Sequence, residues 1–91
     1  MAKAHFHAFI IGEVQMVGYR AFAAERASSL RIAGWVRNNP DGQVETRAEG
    51  EELDLRTFLD CLRQGPRAAR VTEVQVAWAP PEGKFAHFMA R

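Results

Sequence analysis

Ninety-one residues, 47% hydrophobic and 25% charged, sit at the globular norm, leaving room for one domain and excluding the apolar-poor, highly charged profile of a disordered chain. Twelve basic residues (ten Arg, two Lys) against eleven acidic ones give a net charge of +1, which supplies no global field for nucleic acid or an anionic membrane, so any anion site must be local. The single cysteine, Cys61, excludes an internal disulfide; with no signal-peptide pattern and no stretch near the roughly 20 apolar residues of a membrane helix, a cytoplasmic protein is expected.

Residues 6–14 are apolar and rich in β-formers, with Phe6, Ala8 and Ile10 alternating against His7, Phe9 and Ile11 as in a central strand. Residues 20–32 are Ala-rich, with Ala23, Ala27 and Leu30 at helical spacing and Gly34 placed to terminate the helix. Residues 34–38 and 43–48 flank Asn39-Pro40-Asp41-Gly42, in which Pro presets φ and Gly permits φ > 0, so a β-hairpin is predicted. Glu51, Glu52 and Asp54 favour a helix N-terminus, Leu55, Phe58, Leu59 and Leu62 follow at i, i+3, i+4 and i+7, and Gly65-Pro66 closes this second helix. Residues 71–78 alternate as a strand, Pro80-Pro81-Glu82-Gly83 breaks it, and residues 84–90 predict a short edge strand. The βαββαβ order describes an α+β, ferredoxin-like sandwich: two helices on one face of an antiparallel sheet, with a short extra C-terminal edge strand, as one domain over residues 1–91. That architecture hosts enzymes, RNA readers and small-molecule sensors alike.

The most informative segment runs from Gly12 through Val14, Gln15, Met16, Val17, Gly18 and Tyr19 to Arg20, a strand passing through a glycine loop straight into a helix. Successive loop amides converge on an anion in such a turn, aided by the positive end of the helix dipole, and Arg20 stands at its mouth with a guanidinium that grips two phosphate oxygens at once. An ordinary strand-to-helix connection with a surface Arg has the same sequence features. Asn38, ending the strand before the hairpin turn, is the second candidate: an amide does not act as a base near neutrality, but it holds a water by donating and accepting hydrogen bonds. Its alternative is a turn cap alongside Asn39. These groups suit an acyl phosphate, whose carboxylate departs without a general acid, leaving charge neutralisation and an aligned water as the requirements; neither metal nor cofactor is needed.

The same residues resemble a known family. The run from Gly12 to Arg20 is similar to the first acylphosphatase signature, and Gly34-Trp35-Val36-Arg37-Asn38 with Asp41-Gly42-Gln43-Val44-Glu45 and Gly50 resembles the second. The likeness implies hydrolysis of a carboxyl–phosphate anhydride to a carboxylate and inorganic phosphate. It also implies phosphate binding by the loop Val14, Gln15, Met16, Val17, Gly18, Tyr19 and Arg20, with Arg20 and Asn38 catalytic, no metal and no cofactor. The expected partner is a small-molecule acyl phosphate, with phosphate or a similar anion in the site, no nucleic acid and no membrane, and the protein is expected to be a monomer. One departure stands out, because the family usually has Gly where this chain has Met16. If that position needs φ > 0, Met costs on the order of 1 kcal/mol there.

Three competing signals remain. Cys61 and Arg67 fit C-x5-R, the spacing of thiolate phosphatases, yet Cys61 falls inside the second helix rather than between a strand and a helix. His5 and His7 share a strand face and His87 lies on the predicted last strand; without Cys, Asp or Glu at ligand spacing they read as ordinary, partly exposed histidines. The aromatics Phe6, Phe9, Trp35, Trp78, Phe85 and Phe88 keep an RNA-binding module as one alternative, although no interleaved basic patch accompanies them, and a non-catalytic anion-binding or regulatory module of the same fold is another.

Overall fold

The computed structural model describes residues 2–91; Met1 lies outside them. Among the described residues the elements are β1 (Lys3–Glu13), α1 (Tyr19–Ser29), β2 (Ala33–Asn38), β3 (Val44–Glu51), α2 (Glu52–Gln64), β4 (Arg70–Ala79) and β5 (Phe88–Ala90). They form the expected ferredoxin-like sandwich, with both helices packed on one face of a sheet ordered β4-β1-β3-β2-β5.

The alternation along β1 builds the core. Phe6, Ala8 and Ile10 are fully buried under the helices, whereas His7, Phe9 and Ile11 are half-buried on the opposite, open face. The apolar stripe of α2 closes this core, and the Phe58 ring packs between Phe6 and Phe88 at 6.2 and 5.7 Å. α1 contributes the small residues Ala23 and Ala27, which allow it to lie close, and Tyr19, whose hydroxyl donates to the Leu62 carbonyl at 2.6 Å. Burial, with the Cys61 thiol nearby, pushes the Tyr19 hydroxyl above its ordinary value and keeps it protonated as that donor.

Several expectations shift. α1 ends at Ser29, and Gly34 does not terminate it: Arg31, at φ 57, makes the left-handed turn out of the helix. Gly34 lies inside β2 at φ 144, where a Cβ would stand 2.0 Å from the Arg47 carbonyl oxygen, so the close approach of β3 is what requires glycine. The four long strands pair antiparallel, but β5 runs parallel to β2, making the sheet mixed. The last strand is also shorter than residues 84–90. The preceding segment crosses the open face as a strap, its Glu82 and Gly83 amides donating to the Glu49 carboxylate at 2.5 and 3.0 Å and its Phe85 ring stacked 6.1 Å from His5. Amides bound to a carboxylate are not available to a strand ladder.

Of the histidines, His5 departs from its expected state, whereas His7 is half-buried and His87 exposed. His5 is buried, with Nδ1 2.8 Å from Glu49, and His7 Nε2 lies 2.5 Å from Glu45; both partners come from β3, far along the chain, where spacing does not reveal them. His87 precedes β5 instead of lying on it. Of the aromatics proposed as an RNA platform, Phe6 and Trp35 are buried and Phe85 packs on His5.

Burial would raise the Glu45 and Glu49 carboxyls. The side chains of His7, Arg37 and Asn39 on Glu45, and the Glu82 amide, His5 and the Gly83 amide on Glu49, outweigh it and hold both below the ordinary 4.5. A lowered folded value means that the ionised carboxylates stabilise the fold above about pH 4.5 and that this stabilisation is lost as pH falls through the folded values. Urea midpoints measured from about pH 6 to pH 3 are expected to drop with acid, and to drop less steeply in Glu49→Gln.

Candidate active site

β1 ends by shifting register against β4 between Ile11 and Gly12, where a Cβ on Gly12 (φ 139) would lie 2.1 Å from the Arg70 carbonyl oxygen. Val14 is buried and anchors the loop that follows, and Val17 packs against the core. Met16 (φ 63) and Gly18 (φ 77) both adopt left-handed backbone, which bends the loop in the manner that turns successive amides toward one side. Gly18 is the N-cap of α1, so no side chain caps the helix, and its first turn holds no acidic residue. The first amides and the positive end of the helix dipole are left uncovered, and Arg20 adds a full charge to the same turn. Such an end is electrostatically unfavourable by itself and favourable around an anion.

Arg20 and Asn38 face one open pocket of about 310 Å³, lined also by Val14, Met16, Gly18, Tyr19, Ala21 and Ala90. Arg20 is aimed by Nη1 donating to the Arg91 carbonyl at 2.6 Å. Arg91 is in turn fixed by its amide on the Val36 carbonyl at 2.8 Å and by its guanidinium over the Trp35 ring at 4.7 Å. Asn38 arrives from the end of β2, and its Oδ1 is buried with no hydrogen-bond partner among the described residues. Gln15 turns its side chain away to the hairpin, donating to the carbonyls of Asn39 and Gln43 at 2.8 and 3.0 Å. The loop and the Asn38 hairpin are therefore stitched together.

The structure thus brings together the two residues singled out from the sequence, along with Val14, Met16, Gly18 and Tyr19 of the loop. Sequence reasoning missed three supports: the Gln15 stitch, Arg91 behind Arg20, and Glu45 on the far face of the hairpin, which accepts from Arg37 and Asn39. The last was findable, since a turn at Asn39-Pro40-Asp41-Gly42 sets Arg37 opposite Glu45.

Met16 resolves the question posed by its place in the loop. It does occupy the left-handed region, and its side chain is 100% exposed at the pocket rim. Strain without packing compensation makes Met16→Gly stabilising: about 1 kcal/mol is expected from urea unfolding, the greater unfolded-state freedom of Gly offsetting part of the relief. Turnover at or above that of the parent protein should accompany it, because the variant removes no group that faces the pocket with a hydrogen-bonding atom.

Cys61 and Arg67 line a larger groove, about 890 Å³, between α1 and α2. Cys61 lies within α2, where the backbone amides are engaged in the helix ladder, so no cradle of free amides surrounds its thiol.

Set beside known proteins, residues 6–90 match the family model described as Acylphosphatase. The chain belongs to the acylphosphatase family. An acylphosphatase from Thermus thermophilus is 50% identical over 84% of this chain and 86% of its own length, and one from Anaeromyxobacter is 43% identical over 100% and 96%. The crystal structure of acylphosphatase from Bacillus subtilis superposes with a TM-score of 0.94 at 32% identity, covering 97% of this chain and 98% of that one. The chain is a hydrolase of acyl phosphates, and the RNA-binding and non-catalytic readings are not favoured. Among the described residues no helix is long and apolar enough to cross a membrane.

Proposed function

We propose that the loop amides and Arg20 bind the phosphoryl group of an acyl phosphate while the Asn38 carboxamide orients the attacking water. The observation that carries this reading is the pairing, in one pocket, of a charged, uncapped helix N-terminus with a buried amide oxygen that has no partner among the described residues. A dianionic phosphoryl group answers the first, and a water hydrogen answers the second.

Water attacks phosphorus in line with the carboxylate, the phosphorus–carboxylate oxygen bond breaks, and the electron pair leaves on the carboxylate. A carboxylate is too weak a base to need protonation as it departs, so no general acid is required. The water's two protons leave with inorganic phosphate as dihydrogen phosphate or its titrated form. Asn38 removes no proton; Oδ1 accepts a hydrogen bond and aims the oxygen lone pair. Arg20 and the loop amides neutralise charge on the phosphoryl oxygens, a fixed arrangement requiring no reorganisation during the reaction.

Every group in this scheme comes from one chain, which supports a monomer acting as a single acylphosphatase unit. A lone cysteine is compatible with the reducing cytoplasm as its place of action. The test is phosphate release from acetyl and benzoyl phosphate by the purified protein, with inorganic phosphate as competitive inhibitor. Turnover inhibited by phosphate supports the scheme; a protein that binds phosphate without releasing it from either substrate overturns it.

A further inference from the structure

Asn38 poses a problem of orientation. Its amide oxygen is buried and, among the described residues, nothing hydrogen-bonds it. Leaving such an acceptor unsatisfied is unfavourable, and a side chain at the end of a strand, next to a turn, has ways to escape. Something other than its own hydrogen bonds must hold it in the pocket.

The neighbours supply the constraint. Side chains alternate across a strand, so Arg37 and Asn39 project to the face opposite Asn38. There Arg37 Nε and Nη2 donate to Glu45 Oε1 at 3.1 and 2.8 Å, and Asn39 Nδ2 donates to the same oxygen at 3.1 Å. The other oxygen of Glu45 meets His7 Nε2 at 2.5 Å. Glu45 is itself 6% exposed and stands directly across the hairpin from Arg37. A cross-strand ion pair needs one donor on one residue. Here the residues before and after Asn38 converge on a single oxygen, and His7 on β1 braces the carboxylate from behind.

We propose that Glu45 is a positioning residue: by pinning Arg37 and Asn39 on the far face of the sheet, it fixes the backbone on both sides of Asn38 and so aims the carboxamide at the attacking water. The inference rests on the reading of Asn38 given above. It assigns Glu45 no contact with substrate and no part in binding phosphate.

The expected signature is a loss in kcat without a loss in binding. In Glu45→Gln, hydrolysis of benzoyl phosphate should fall about tenfold in kcat, since a modest misplacement of a positioned water is enough for that. KM and inhibition by inorganic phosphate should stay within about twofold, because Arg20 and the loop are untouched. The double variant Glu45→Gln/Asn38→Ala should be no slower than Asn38→Ala alone, since Glu45 has nothing left to aim. Arg37→Gln, which removes one clamp from a half-exposed position and leaves the Glu45 carboxylate its His7 and Asn39 partners, provides the same test if Glu45→Gln does not fold. A smaller kcat loss, again masked by Asn38→Ala, is expected there.

Unchanged kcat in both variants, a KM rise in step with the kcat loss, or losses that multiply with Asn38→Ala would each overturn the proposal. Failure of the underlying reading looks different: a parent protein that hydrolyses neither acyl phosphate, or an Asn38→Ala variant at full turnover, removes the function assigned to Asn38 itself.

Discussion

Arg20→Ala is expected to lower kcat/KM for acyl phosphates by about 10³-fold or more, in line with what a guanidinium contributes to a phosphoryl transition state. Inhibition by inorganic phosphate should weaken in parallel, because Arg20 neutralises charge in ground state and product as well. Arg20→Lys should recover little, since an ammonium is a point charge that does not span two oxygens in a fixed fork. The decisive companion is stability. Arg20 sits in the uncapped first turn of α1, at the positive end of the dipole, where a cation is unfavourable by about 0.3–1 kcal/mol. Against that stands one hydrogen bond to the Arg91 carbonyl from an exposed side chain. Arg20→Ala should therefore be inactive yet as stable as the parent, or more so, by urea unfolding. A variant that is inactive because it is unfolded would show the opposite and would remove Arg20 from the mechanism.

The same trade explains how the site is built. Met16 in left-handed backbone, Arg20 against a helix dipole and an unsatisfied Asn38 oxygen are each locally unfavourable. All three border one pocket. The stitching that holds them, Gln15 to the hairpin and Arg91 to Arg20, comes from residues lying away from the reacting centre. An anion answers the charge of Arg20 and the helix dipole, and a water answers Asn38, whereas Arg31 breaks a local rule away from the pocket, where it ends α1.

That division also decides what was legible in the chain. The Leu55, Phe58, Leu59 and Leu62 stripe and the Asn39-Pro40-Asp41-Gly42 turn are short-range signals, and both elements appear where the pattern puts them. The loop from Val14 to Arg20 is contiguous and was readable as one unit, with Asn38 found through its place at the strand end. α1 was harder to bound, because its end depends on Arg31 entering left-handed backbone, a conformation that no residue type there announces. The strap over residues 80–87 reads in part as strand in the sequence because its geometry is set by Glu49, whose carboxylate captures amides 33 and 34 positions away. His5 reads as partly exposed in the sequence for the same reason: burying it depends on a carboxylate brought alongside by β1–β3 pairing. Both the strap and the burial of His5 have a tertiary partner, Glu49, as their cause.

Asn38→Ala should separate catalysis from binding more sharply than any other single change. On the proposed mechanism its amide touches only the nucleophile, so kcat is expected to fall by about 10²–10³-fold while KM and phosphate inhibition stay near the parent values. The folded protein should not suffer. Among the described residues nothing pairs with Oδ1, which faces an open pocket and accepts from water, so deleting it breaks no hydrogen bond within the protein and costs only a modest loss of side-chain packing. Unfolding in urea should place Asn38→Ala close to the parent. Asn38→Asp adds a further discrimination: a carboxylate in the same position would still accept from water, but it would repel the incoming dianion, so KM should rise together with the fall in kcat. If Asn38→Ala instead raised KM and left kcat alone, the amide would be holding the phosphoryl group. The water would then need another guide, and among the described residues lining the pocket no other neutral side chain both donates and accepts except Tyr19, whose hydroxyl is committed to Leu62.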